Sequence, residues 1–78
     1  MSQAALARAL GVPKNRISQI INGDRGITAD TALRLARWMG TTPEYWLNLQ
    51  MLYDLRLAQQ SVGQEIQKDV VPLSDRAA

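Results

Sequence analysis

Three residues near the start of the chain have a spacing that few folds require. Ala7 is followed four residues later by Gly11, and Ile17 comes six residues after that. A helix-turn-helix needs a small residue where its helices cross, a turn residue that accepts positive φ, and a branched apolar residue on the second helix. The spacing therefore predicts two short helices joined at Gly11. A plain helical hairpin within a bundle has similar requirements, so the spacing alone leaves both structures open.

Capping residues indicate where the helices begin and end. Ser2 is a good N-cap, and Pro13 is expected at the first position of the second helix. Thr28 and Gly40 bracket a third helix, and Thr42 precedes a fourth. The predicted helices are 3–10, 13–21, 29–39 and 43 to about 60.

The apolar residues of the first two helices predict a common wedge between them. Its expected members are Ala7 and Ile17 together with Leu6, Leu10, Val12 and Ile20, and Ile21 joins Ile17 and Ile20 on the apolar face of the second helix. Beyond residue 60 we expect Gly63 to weaken the helix, residues 70–73 to be extended and residues 74–78 to be disordered.

The length of 78 residues favours one small domain, and the predicted helices make its fold class all-α. We divide it into a helix-turn-helix domain over 1–60 and a partly flexible extension over 61–78. The chain contains no cysteine and no histidine, which excludes disulfides and the usual zinc sites. No apolar run is long enough to span a bilayer and no signal peptide is visible, so the expected location is the cytoplasm.

The polar face of the second helix is the candidate for recognition of DNA bases. Its residues are Lys14, Asn15, Arg16, Ser18 and Gln19, and the helix carries no acid. Amide side chains pair with adenine and basic side chains with guanine in the major groove. Six of the nine basic residues lie in residues 1–40, and five of the seven acidic residues lie in 41–78. This asymmetry also favours a polyanion as the partner of the first half. The alternative is an ordinary solvated face.

Three further residues are candidates for contacts with DNA phosphates. Gln3 begins the first helix, where backbone amides attract anions. Asn22 and Arg25 follow the second helix and lie where flanking backbone is expected. Each is equally well explained as a cap or loop residue.

The fourth predicted helix is more apolar than one buried face requires. One stripe contains Trp46, Leu49, Tyr53 and Leu57, and a second contains Leu47, Met51, Leu55 and Ala58. We expect one stripe to pack on a second copy of the chain and assign that role to the second stripe. The alternative is a helix that is central in the monomer.

No enzyme signature is present. Without histidine or cysteine there is no such nucleophile–base pair, and the acids are scattered over caps and helix faces without shared spacing. Gly23 and Gly26 do not form a phosphate loop. We therefore expect no catalytic residues, no bound metal and no cofactor.

Two stretches carry a resemblance to known families. The segments SQAALARALGV and RISQIINGDRGITADTALRLARWMG resemble the Cro and phage-repressor class of helix-turn-helix domains. The continuation TTPEYWLNLQMLYDL resembles the HigA-type antitoxins of bacterial toxin–antitoxin modules, also known as VapI-like proteins. The resemblance covers Ser2 to Leu55, and its specific part is Ile27 to Leu55.

The resemblance implies a lambda-repressor-like homodimer that binds a palindromic operator and represses its own operon. It implies a partner toxin, typically a basic endoribonuclease of the RelE-like or HigB-like kind. It places Lys14, Asn15, Arg16, Ser18 and Gln19 in the major groove and Gln3 and Asn22 on phosphates. The family has one more helix before the Ser-Gln pair, so we expect the N-terminal helix to be missing here. Two alternatives are a stand-alone transcription regulator and a pure protein-interaction module.

Overall fold

Five helices follow one another along residues 1–76, the part of the chain that this computed structural model describes, with side chains described through residue 74. They are α1 (Gln3–Leu10), α2 (Lys14–Ile21), α3 (Ala29–Met39), α4 (Pro43–Asp69) and α5 (Leu73–Arg76). The predicted all-α fold is confirmed. Among these residues no helix has the length and apolar character needed to cross a membrane.

Hydroxyl side chains cap the helices as predicted. The Ser2 hydroxyl oxygen accepts a hydrogen bond from the Ala5 amide at 3.1 Å, and that of Thr42 accepts one from the Tyr45 amide at 3.2 Å. Thr28 has the same role before α3. Each bond satisfies an amide that has no partner inside its helix. The starts of α1, α3 and α4 are therefore determined by local chemistry.

Gly11 ends α1 in the left-handed region, with φ 69° and ψ 34°. The amide of Val12 then bonds the Ala7 carbonyl at 3.0 Å, which turns the chain toward α2. Any residue with a Cβ is strained in this conformation. The predicted turn at Gly11 is confirmed.

The expected position of Pro13 is wrong by one residue. Its ψ of 146° is extended, so it is the N-cap of α2, and its carbonyl accepts a bond from the Arg16 amide at 3.1 Å. Proline fixes only φ and leaves ψ free, so the same ring serves as the last extended residue before a helix.

The expected end of α4 near Gln60 is wrong, because the helix continues to Asp69. A single glycine inside a helix costs only about 1 kcal/mol, and the residues around Gly63 are mostly good helix formers. The predicted domain boundary after residue 60 therefore falls inside α4. Val70 is extended as expected, but Leu73–Arg76 is helical where an extended and then disordered chain was expected. Residues 77–78 of that prediction lie outside the described residues.

The core lies where α1, α2 and α3 meet. Ala7, Leu10 and Ile17 are buried, and the partly buried residues Leu6, Val12 and Leu35 pack against them. Ile21, which we expected on the apolar face of the second helix, is 57% exposed. It lines an open cleft between the end of α2 and α4, together with side chains such as Tyr53 and Leu57.

α4 packs against α3 but has no buried residue of its own. The longest dimension of the molecule is 59 Å, against 23 and 15 Å for the others. Most helical stability in proteins comes from tertiary packing, and among the described helices α4 packs only on α3. Its remaining apolar side chains are exposed.

Candidate nucleic-acid interface

The outward side of α2 presents three polar side chains. Lys14 and Asn15 are exposed, and Gln19 is half-buried one turn after Asn15. The eight residues of α2 contain no carboxylate. This surface therefore offers donors and amide groups without the negative charge that would repel nucleic acid.

Ser18 faces α1 and is bonded to Gln3. Its hydroxyl donates to Oε1 of Gln3 at 2.7 Å and lies 3.3 Å from the Lys14 carbonyl. The bond joins the first turn of α1 to the second half of α2. It engages the acceptor oxygen of the Gln3 amide, and the remaining NH₂ group is the donor that a phosphate oxygen would need.

Arg16 is held against α3. Its Nη1 lies 2.9 Å from Oδ1 of Asp30, and the Arg16 side chain is only 27% exposed. A guanidinium in a charge-assisted bond is oriented by that bond. Arg16 therefore braces α2 in this structure, in contrast to the outward Lys14 and Asn15.

Asp30 also binds Arg34, and so it serves two guanidinium groups. Nε of Arg34 lies 2.8 Å from the same Oδ1 atom. The hydrogen bond from Arg34 holds the pKa of the Asp30 carboxyl below its ordinary value of 3.8, and the charges of Arg34 and Arg16 act in the same direction. Asp30 is thus charged at neutral pH and keeps both arginines in place.

Arg34 completes this network at the end of α1. Its Nη1 donates to the carbonyl oxygens of Leu10 and Gly11, at 3.0 and 3.2 Å. Carbonyls at a helix C-terminus lack partners in their own helix and favour a cation. Through Asp30 and Arg34, α3 fixes both the end of α1 and the orientation of α2.

The loop after α2 folds back on the end of that helix. The amides of Asp24 and Arg25 both bond the Gln19 carbonyl, at 2.8 and 3.2 Å, and Gly23 has φ 80°. Asn22 and Arg25 are exposed on this loop. The predicted phosphate contacts are thus brought next to the C-terminal end of α2, while Gln3 lies on α1.

Sequence reasoning missed Asp30, Arg34 and Gln50. The four-residue spacing of Asp30 and Arg34 was a signal for their ion pair within one helix. No local signal connects Asp30 to Arg16, because they are 14 residues apart. The same holds for Gln50, whose Oε1 accepts a hydrogen bond at 2.7 Å from the amide of Ile27, 23 residues away.

The residues assigned to a dimer interface lie on the accessible surface of α4. Leu47, Met51, Leu55 and Ala58 are all exposed, and so are Leu49, Tyr53 and Leu57 of the other stripe. Only Trp46 of that other stripe is half-buried, with its indole N–H donating to the Thr41 hydroxyl at 2.8 Å.

Comparison with known proteins places this arrangement among helix-turn-helix proteins. Residues 1–46 match the HTH_3 family, described as helix-turn-helix. The chain is 49% identical over 77 residues to virulence-associated protein I of Dichelobacter nodosus, covering 99% of this chain and 69% of that one. It is 47% identical over 55 residues to antitoxin HigA-1 of Vibrio cholerae. That match covers 70% of this chain and 51% of the relative, so the chain spans about half of the relative's length.

Solved structures show the same similarity. A HigA-family addiction module antidote protein from Coxiella burnetii superposes with a TM-score of 0.88 and 56% identity, covering 92% of this chain and 78% of that one. Antitoxin HigA of Pseudomonas aeruginosa, solved with the higBA promoter, superposes with a TM-score of 0.86 and is 43% identical. That match covers 92% of this chain and 78% of that one. The similarity in structure thus extends well beyond the two helices of the motif.

Proposed function

The chain belongs to the HTH_3 helix-turn-helix family, as a relative of the HigA-type antitoxins, and from that membership we propose that it is an antitoxin and autorepressor. It binds operator DNA as a dimer and neutralises a cognate RelE-like or HigB-like endoribonuclease toxin. It acts in the cytoplasm and has no catalytic activity of its own. The observation that carries the proposal is the acid-free outward face of α2, held at a fixed angle by Arg16 and Ser18.

Base recognition is assigned to the side chains that α2 leaves outward. Lys14, Asn15 and Gln19 have the donors and acceptors that base edges in the major groove require. Arg16 and Ser18, which the sequence suggested as base readers, act in this proposal by holding the helix. Their bonds to Asp30 and Gln3 support that assignment.

Phosphate contacts are assigned to Gln3, Asn22 and Arg25. They lie at the start of α1 and on the loop after α2, so they flank the base-reading side chains along the chain and can fix its register on DNA. Because only Arg25 among them is charged, we expect it to contribute most to the salt dependence of binding.

Dimerisation is assigned to α4, through Leu47, Met51, Leu55 and Ala58. A helix with no buried residue and many exposed apolar side chains gains stability when a second copy covers them. A two-fold dimer of this kind places two recognition helices about one DNA turn, roughly 34 Å, apart.

A gel-shift titration tests the DNA-binding part of the proposal. The full chain is titrated against a duplex carrying the DNA immediately upstream of its gene and against a scrambled duplex of equal composition. We expect the upstream duplex to bind at least about a thousandfold more tightly. Equal affinity for the two duplexes would refute operator recognition.

Co-expression with the neighbouring gene product tests the antitoxin part. We expect that product to co-purify with the chain and to stop growth when expressed without it. Operator binding without such a partner would instead favour the stand-alone regulator.

A further inference from the structure

Gln50 on α4 bridges two elements that sequence reasoning did not connect. Its Oε1 accepts a hydrogen bond from the Ile27 amide at 2.7 Å, and its Nε2 donates to Oδ1 of Asp54 at 2.8 Å. Gln50 is half-buried although its neighbours along α4 are exposed. Both ends of the amide are therefore engaged, and its orientation is determined by two partners of different chemistry.

Gly26 provides an independent observation of the same contact. Its φ does not lie in the left-handed region, so the backbone itself does not require glycine. A Cβ built on Gly26 would lie 3.1 Å from both Cδ and Nε2 of Gln50. The missing side chain is what allows Gln50 to reach the loop.

The loop between α2 and α3 is consequently held at two points. At its start the amides of Asp24 and Arg25 bond the Gln19 carbonyl, and near its end Ile27 bonds Gln50. Only Gly26 lies between these attachments. Arg25, with its exposed side chain, is thus carried on a short segment whose backbone has little freedom.

We propose that Gln50 is a positioning residue for DNA binding, which fixes the Arg25 segment relative to α4. The proposal rests on the proposed function, in which Arg25 contacts phosphate and α4 joins the two copies. A loop already fixed in its bound geometry loses less conformational entropy on binding. Because the attachment is made to α4, it also relates the Arg25 side chains of the two copies to each other.

Gln50→Leu removes both hydrogen bonds and nearly preserves side-chain size. We expect it to weaken binding to the upstream duplex about fivefold to tenfold, the effect of removing about one hydrogen bond. We also expect the slope of log affinity against log salt to become shallower, by about one unit for each phosphate that Arg25 no longer neutralises. A variant that only lowers the folded fraction keeps the wild-type salt slope. The slope therefore distinguishes a loss of Arg25 positioning from a loss of stability.

Gln64→Leu is the matched control. Gln64 is exposed on nearly the same face of α4, about four turns beyond Gln50 and away from the loop. We expect wild-type affinity and wild-type slope from this variant.

An exchanged pair tests the chemistry of the bridge. Gln50→Glu still accepts from Ile27 but places a carboxylate against Asp54, and we expect it to bind as weakly as Gln50→Leu. Adding Asp54→Asn restores a donor–acceptor pair, and we expect affinity and slope to return to within about twofold of wild type. Gly26→Ala displaces Gln50 from the other side and should reproduce the shallower slope.

Two outcomes separate the hypotheses. If the wild-type chain prefers the upstream duplex and Gln50→Leu matches Gln64→Leu in affinity and slope, the positioning role is refuted and the proposed function stands. If the wild-type chain binds the upstream and scrambled duplexes equally, the proposed function is refuted and this inference falls with it.

Discussion

Replacing Gly11 by alanine tests how far the helix-turn-helix depends on Arg34. Gly11 has φ 69°, and a Cβ built there would lie 3.2 Å from Nη1 of Arg34. Gly40 has nearly the same φ, 70°, with nothing within 4 Å of its Cβ. Gly40→Ala therefore measures the backbone cost alone, and the difference between the two variants measures the effect on Arg34.

The expected magnitudes follow from these contacts. A residue with a Cβ in the left-handed region costs about 1–2 kcal/mol. Displacing Arg34 also weakens its hydrogen bonds to the Leu10 and Gly11 carbonyls. We set the resulting loss of stability at about 1 kcal/mol, because the Arg34 side chain is 41% exposed and solvent weakens such bonds. We expect the free energy of unfolding to fall by about 1.5 kcal/mol in Gly40→Ala and by about 2.5 kcal/mol in Gly11→Ala.

Urea unfolding followed by circular dichroism measures both values. Protein concentration must be the same throughout, because the stability of a dimer depends on it. In an Arg34→Met background the cost of Gly11→Ala should fall to that of Gly40→Ala. Equal costs in the wild-type background, or a Gly11→Ala cost that Arg34→Met leaves unchanged, would refute the role given to Arg34.

Three further predictions concern DNA, pH and assembly. Gln19→Ala should reduce the preference for the upstream over the scrambled duplex by about tenfold or more, whereas Arg25→Ala should weaken both alike and make the salt slope shallower; identical gel-shift profiles would contradict the two roles. The lowered pKa of Asp30 implies a contribution to stability that is complete above its ordinary value of 3.8 and is lost as the pH falls through the lowered value in the folded protein. Urea midpoints of the wild type should therefore drop more steeply with acid than those of Asp30→Asn, and parallel curves would exclude that contribution. Met51→Glu should convert the dimer to a monomer in light scattering while Tyr53→Glu leaves it dimeric, and the opposite result would move the interface to the other stripe.

The first and third helices were predictable because their ends depend on nearby residues. Ser2, Gly11, Thr28 and Gly40 act on backbone groups within a few positions of themselves, and such rules can be applied without a structure. The end of α4 was missed for a related reason. Gly63 lowers helix propensity locally, but the cost is too small to stop a helix whose neighbouring residues favour it.

The candidate site was predictable in part. The outward positions of Lys14 and Asn15 follow from helical periodicity and from the apolar position of Ile17. The inward roles of Arg16 and Gln50 do not follow from it, since their partners come from other helices and loops. A polar side chain near the edge of a helix face can point into solvent or bond to a neighbouring element. Which of the two occurs depends on the residues that pack beside it.

The bond between Arg16 and Asp30 has a mechanical consequence. α2 has eight residues and is thus about 12 Å long, so tilting it by about 10° around one end moves the other end by about 2 Å. The useful range of a hydrogen-bond distance is only about 0.5 Å wide. A tilt of a few degrees around one end therefore moves the other end by more than this range, even in a helix this short. The Asp30 carboxylate on α3 limits that tilt near the N-terminal end of α2, where it binds Arg16.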